Sequence, residues 1–218
     1  MREIILCLCA VLQILSGYSR PLLADTLLAS PATMLRTAQR LDFVGANRYS
    51  VEKGPFGRCL RSRPLRSASG LYLPINVSRK KLFHVRWSWR VDKIHKSADV
   101  TKRSHEDFAA MVAFVFGKPT PLNRDVPSLA YVWTSTPVPD GTIIRPARFD
   151  NARFVQLHGP RDCRSWQTEH RNVIADFKAA FGYAPGPLRF IAIFNDNDQT
   201  GEPVSAVFAP IFSEIAHH

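Results

Sequence analysis

FHVRWSWRV, residues 83–91, decides how this chain folds. Phe83, Val85, Trp87, Trp89 and Val91 fall on one side of an extended backbone, and His84, Arg86, Ser88 and Arg90 on the other. Apolar against polar with a period of two marks a strand with one buried face. LYLPINV, residues 71–77, alternates the same way, with Leu71, Leu73, Ile75 and Val77 directed inward. FAAMVAFVF, residues 108–116, is apolar on both faces, which predicts a central strand covered on both sides. LAYVWTS, ARFVQLH, LRFIAIF and VSAVFAPIF extend the series, and NRYSV and GRCLR add two weaker strands.

One segment has a different period. Trp166, His170, Val173, Phe177 and Phe181 recur at helical spacing. Ser165 is placed to cap the start, Gly182 to stop the helix, and Pro185 lies beyond it. The spacing predicts one amphipathic helix over 165–181. Proline-rich connections at 117–128 and 136–150 read as long surface loops. Eight or nine strands and one helix give a mainly β fold, a two-sheet antiparallel β-sandwich of jelly-roll type.

A chain of 218 residues suits one domain with a sizeable core. Its first residues stand apart. Arg2 precedes a short apolar run, residues 4–15, too short to span a bilayer and followed by Ser16, Gly17, Ser19 and Ala24. Residues 1–24 read as a secretory signal, 25–45 as an N-terminal lead-in, and 46–218 as the single sandwich domain. The mature chain is expected to be periplasmic or secreted, with no transmembrane segment. Cys7 and Cys9 leave with the signal, and the remaining Cys59 and Cys163 suggest one disulfide. Net charge is +11, and +10 once Arg2, Arg20 and Glu3 are gone, spread over several basic stretches. That balance favours anionic partners such as an acidic envelope polysaccharide, and no nucleic-acid motif accompanies it.

The ordered set SASGL, VRWSWRV, the acidic pair Glu106–Asp107, LAYVWTS, SWQTEHRNVIADFKAAFG and FNDNDQTG resembles a bacterial exported family, domain-of-unknown-function family 3047. The resemblance covers about 49–215. It implies a secreted or periplasmic β-rich domain without an established activity. The family's acidic pair is usually two aspartates, where this chain has Glu106, and its late loop usually begins with Thr, where this chain has Asn195.

Three places can carry chemistry. In FNDNDQTGEP, residues 194–203, Asp196, Asp198 and Thr200 open a calcium-loop pattern, and Gly201 permits the turn. The position eleven after Asp196 is Val207, which excludes an EF-hand. The alternatives are a calcium site completed from elsewhere and an Asx-rich turn that caps strand ends. Glu106 and Asp107 precede a buried strand. One of them with Asp196 or Asp198 makes a possible acid/base couple for a glycoside hydrolase or polysaccharide lyase. The plainer expectation is an ion pair with Arg86 or Arg90. Finally, Tyr131 and Trp133 are candidates for a sugar-stacking surface, and Arg86 and Arg90 for an anion-binding row unless the helix covers it. Trp87 and Trp89 are assigned to the core. No P-loop, dinucleotide fingerprint or HExxH is present. The leading expectation is non-catalytic binding of carbohydrate or another anionic envelope polymer.

Overall fold

The computed structural model describes residues 25–79, 82, 84–117 and 126–214. The expected signal (1–24), Phe83 and most of the connection after Gly117 lie outside them. The chain is mainly β, two curled sheets stacked in a jelly-roll-like sandwich.

The first sheet contains β1 (Thr26–Ala29), β3 (Arg48–Gly54), β4 (Gly57–Arg63), β6 (His84–Lys93), β11 (Gln167–Arg171), β13 (Ser205–Phe208) and β14 (Ile211–Glu214). β6 is its axis. β13 and β14 follow one another along one edge, and β11 takes the other. The inward face of β6 is as expected, with Val85, Trp87, Trp89 and Val91 at 1% exposure or less, while on the other face Ser88 is also buried, its hydroxyl 2.8 Å from that of Thr168 on β11. VSAVFAPIF divides into two strands at Ala209–Pro210, because proline has no N–H to give to a ladder.

The second sheet runs β2 (Gln39–Val44), β5 (Ala68–Val77), β12 (Leu188–Asp196), β7 (Ala110–Phe116), β8 (Ser128–Trp133), β10 (Ala152–His158) and β9 (Ile143–Ile144). All its described pairs are antiparallel except β8 with β10, whose long connection over 134–151 allows the parallel return. β7 is central, as its two apolar faces require. Ala110, Val112, Phe114 and Phe116 enter the core between the sheets, and Met111 and Ala113 a second cluster on the outer face. Residues 25–45 supply β1, β2 and the short helix α1 (Pro31–Thr37), capped by the Ser30 hydroxyl on Thr33 N–H at 3.0 Å.

The expected helix is shorter than its periodicity suggests. Residues 167–171 form β11 on β6, and the helix α2 (Val173–Phe181) begins only after Asn172, whose side chain accepts Ala175 N–H at 2.9 Å. Trp166 and His170 share helical spacing with Val173 by coincidence, and the better cap is Asn172 rather than Ser165. Gly182 ends α2 at φ 80, a backbone conformation that glycine takes without strain. Cys59 and Cys163 are both free thiols. Cys59 packs with Val207, Ala209 and Trp166, while Cys163 packs against the main core, so the two occupy different clusters. Among the described residues no helix is long and apolar enough to cross a membrane.

Candidate functional site

The acidic motifs meet at one end of the second sheet. Asp107, just before β7, and Asp196, at the end of β12, are brought together because these strands are neighbours. With Asp198 they place carboxylate oxygens within 4.8 Å of one another. Each is already engaged. Asp107 is fully buried and accepts the N–H groups of Gln199 (3.3 Å) and Thr200 (2.7 Å), which folds the late loop over it. Asp196, 5% exposed, accepts Phe108 N–H at 2.8 Å. Asp198 accepts the Gln199 side-chain amide at 2.5 Å, and the Thr200 hydroxyl accepts Glu202 N–H at 3.2 Å.

Burial first, and then the Asp107 charge, hold the Asp196 carboxyl well above the usual carboxylate range. The same two causes raise Asp198. Behind them, His95 is fully buried and its Nε2 lies 2.8 Å from the Asp196 carbonyl and 4.0 Å from Asp107 Oδ2. Burial depresses the pKa of His95 against the opposing pull of Asp107. The Asp196 carbonyl can only accept, so Nε2 carries the proton of this bond.

The expected ion pairs with the β6 arginines are not made. Glu106 and Asp107 lie in irregular backbone before β7, so the opposite-face rule for strands does not separate them and both are buried. Glu106 pairs with Arg148 Nε at 3.1 Å and accepts Arg148 N–H at 3.2 Å. Arg86 bridges Asp25 (2.8 Å) and Glu214 (3.2 Å) and lies over the Phe212 ring. Arg90 pairs with Asp92 at 2.6 Å and lies over Trp166. The row is thus consumed by carboxylates and rings rather than left open for an anion.

Tyr131 and Trp133 are not a sugar-stacking surface either. Both are fully buried between the sheets. The Tyr131 hydroxyl donates to Asp176 at 2.7 Å, and Trp133 Nε1–H to the Gly159 carbonyl at 2.9 Å. β8 is apolar on both faces, so sequence carries no phase for it.

The aromatic surface lies instead on the outer face of the second sheet. A groove of about 500 Å³ runs there, floored by Phe43, Phe108, Phe149, Phe154 and Phe194. Their rings form a chain: Phe149 to Phe43 at 5.9 Å, Phe43 to Phe194 at 5.7 Å, Phe194 to Phe108 at 5.5 Å, and Phe108 to Phe154 at 5.9 Å. Phe43 is 53% and Phe149 39% exposed. Gly70 makes room for this floor, since a Cβ there would stand 2.3 Å from Phe194 Cδ2. The groove continues into a pocket of about 160 Å³ that shares Phe43, Phe149, Phe194 and Arg148, and adds Glu106, Asp196, Asp198 and Gln199. The result is an aromatic trough that ends at an acidic mouth. Phe43 falls in the stretch read from sequence as a lead-in, and Phe149 in one read as a surface loop.

A family model described as "Protein of unknown function (DUF3047)" matches residues 38–212. No curated protein matches the chain. Similar solved structures include the family 11 carbohydrate-binding module of a Clostridium thermocellum cellulosomal cellulase, with 9% identity, TM-score 0.46, and coverage of 89% of this chain and 97% of that one. The xyloglucanase domain of NopAA from Sinorhizobium fredii gives 10% identity, TM-score 0.43, and coverage of 83% and 97%. A cellulase derived from Cel12A of Rhodothermus marinus gives 12% identity, TM-score 0.42, and coverage of 79% and 99%.

Proposed function

We propose, for a chain that belongs to this DUF3047 family, an exported binding module that takes a carbohydrate or other envelope polymer along the aromatic groove without cleaving it. The observation that carries this reading is the chain of phenylalanine rings, two of them substantially exposed, along an open trough. Flat rings pack against the apolar C–H faces of pyranose units. Arg148, Asp150 and Asn151 on the groove wall supply polar partners.

The catalytic alternative has less support. Glycoside hydrolysis needs two carboxyls that reach the scissile bond, about 5–5.5 Å or 6.5–9.5 Å apart. Asp107 is sealed beneath the loop, Glu106 is held by Arg148, and Asp196 is almost wholly buried. Of the four carboxyls, Asp198 is the one with appreciable access to the mouth.

The test is a glycan array with the purified protein, repeated with Phe43→Ala and Phe149→Ala. Binding to one or more glycans, weakened at least fivefold by either variant at unchanged melting temperature, supports the reading. Binding that ignores both variants, or no binding to any glycan, removes it. Release of reducing ends from the bound glycan would favour the hydrolase.

A calcium ion on Asp196 and Asp198, with Asp107 and Thr200 nearby, is a second reading, favoured by the 4.8 Å convergence. Calcium takes six to eight oxygens, and it would compete with the N–H groups of Phe108, Gln199, Thr200 and Glu202 for the same lone pairs. Melting with added calcium and with chelator tests it. A shift that Asp196→Asn abolishes supports the ion, and unchanged curves remove it.

A further inference from the structure

We propose that a second cleft, walled by the first sheet and the late loop, binds the acidic groups of a polysaccharide through Arg63, Arg66 and Lys93. It shares the polymer class of the groove reading but none of its residues. The cleft measures about 770 Å³ and lies where β4, β6 and β13 approach residues 197–204.

Its charge is unbalanced. Arg61 lies in the wall, but Glu52 (2.6 Å) and Asp92 (2.6 Å) already answer it, and it also donates to the Ser205 hydroxyl at 2.9 Å. Asp92 is the one acidic residue among the described lining, and it is shared by Arg61 and Arg90. Arg63, Arg66 and Lys93 are exposed. Among the described residues none of the three has an ion pair or a side-chain hydrogen bond. Three cations therefore face one cleft with no spare carboxylate to meet them. On a protein surface such charges usually find acidic neighbours or are spread apart, and here they are gathered.

The backbone holds one of them in place. Arg66 adopts φ +51, a left-handed conformation that costs a non-glycine residue free energy and persists only where its surroundings enforce it. The enforcing contacts are visible. Ser67 N–H donates to Asn197 Oδ1 at 3.1 Å, the Ser67 hydroxyl donates to Asn47 Oδ1 at 2.6 Å, and Leu65 N–H donates to the Ser67 hydroxyl at 2.9 Å. Across the turn, Gly201 sits at φ +67, and the Arg66 guanidinium packs beside it, with Cζ at the van der Waals distance of 3.4 Å from where a Cβ would stand. The Arg66 fork thus lies beside Gly201 with no hydrogen bond to it. A guanidinium fixed at its base and free at its fork suits a carboxylate or sulfate, which it meets with two parallel N–H donors. The cleft is far larger than one such group, so the oxyanion is carried on a bigger, polar molecule. Strung along a polymer, repeated acidic groups can meet Arg63, Arg66 and Lys93 together.

Calorimetric titration of the full chain with polygalacturonate, a sulfated glycan and a neutral glucan tests this, at about 50 and about 300 mM salt. The expected result is binding of at least one acidic glycan that weakens with salt. It falls by about tenfold for each of Arg63→Ala and Arg66→Ala. Lys93→Ala gives a smaller loss. Arg63→Lys with Arg66→Lys keeps the charge and loses the fork, so carboxylate or sulfate binding drops but does not vanish. Phe43→Ala leaves acidic-glycan binding at this cleft in place, and Arg63→Ala with Arg66→Ala leaves neutral-glucan binding in place. The two sites therefore fail separately. The proposal is overturned if neither acidic glycan binds, or if the double alanine variant, with an unchanged melting temperature, binds within twofold of the parent.

Discussion

Replacing Asn47 with alanine is expected to destabilise the fold by about 3–5 kcal/mol and to loosen the acidic mouth before anything else. Asn47 is 3% exposed and uses every polar atom of its side chain. Its Nδ2 shares two hydrogens among the carbonyls of Ser69 (2.9 Å) and Asn195 (2.7 Å) and Asn195 Oδ1 (2.8 Å), and its Oδ1 accepts the Ser67 hydroxyl at 2.6 Å. After truncation, Ser69 keeps the Tyr49 hydroxyl and Asn195 Oδ1 keeps the Ser62 hydroxyl. The Ser67 hydroxyl loses the acceptor of its proton and keeps only Leu65 N–H, and the Asn195 carbonyl loses its side-chain donor within the β5–β12 ladder. Each buried group left short costs about 1–3 kcal/mol, and the small cavity adds to that. Urea denaturation gives the total, and amide exchange shows where it falls, with protection lost first around residues 67–69 and 195–201. Asn47→Asp should be worse at neutral pH, since a carboxylate would face carbonyl oxygens. It recovers as pH falls towards about 4, because the charged form is the one disfavoured. A loss below about 1 kcal/mol in the alanine variant, or an aspartate variant indifferent to pH, would refute the reasoning.

Asp196 supplies a second expectation. Its folded pKa lies above its unfolded value, so the folded state holds the proton longer, and this group's contribution declines as pH rises from about 4 through the folded value. Asp196→Asn keeps the Phe108 bond, removes that slope, and gains on the parent in melting temperature as pH rises; a constant gap at every pH would contradict this. His158 behaves oppositely. Burial pulls its pKa down, but the bonds and charges of Glu169 (2.7 Å) and Asp162 (3.4 Å) prevail and raise it. Its stabilisation is present below about 6.5 and lost as pH climbs through the folded value, and His158→Gln should erase that portion of a pH–melting curve. Phe177, packed on Phe116 (5.0 Å) and Phe181 (4.3 Å), should cost about 3–5 kcal/mol as alanine in a denaturant titration. Dithiothreitol should leave the melting temperature unchanged, since neither described cysteine is bridged.

How much of this was readable beforehand depended on whether the residues carry a phase. β6 did, because Val85, Trp87, Trp89 and Val91 alternate with polar neighbours, and both indoles fell where expected. β7 declared itself central by being greasy on both faces. β8 is equally greasy, and there the same property hid which way Tyr131 and Trp133 point. Local spacing also misled at Trp166 and His170, where pairing with β6 prevailed over a helical period. The meeting of the acidic pair with the late loop was foreseeable as a possibility. What sequence could not show is that backbone amides, rather than a substrate or an arginine, occupy the Asp107 carboxylate. Phe43, Phe149 and Arg66 gave no local signal at all, since their roles arise only when distant strands and turns are brought side by side.

β6 has an implication for how the molecule is made. Its ladder partners are residues 167–171, 205–208 and 211–214, all more than seventy positions further on. During synthesis the β6 backbone therefore waits for its strand partners until nearly the whole polypeptide has emerged. Such late closure delays folding and leaves the nascent chain sticky in the meantime. A stop codon introduced before residue 205 would yield an aggregating product rather than a smaller working domain.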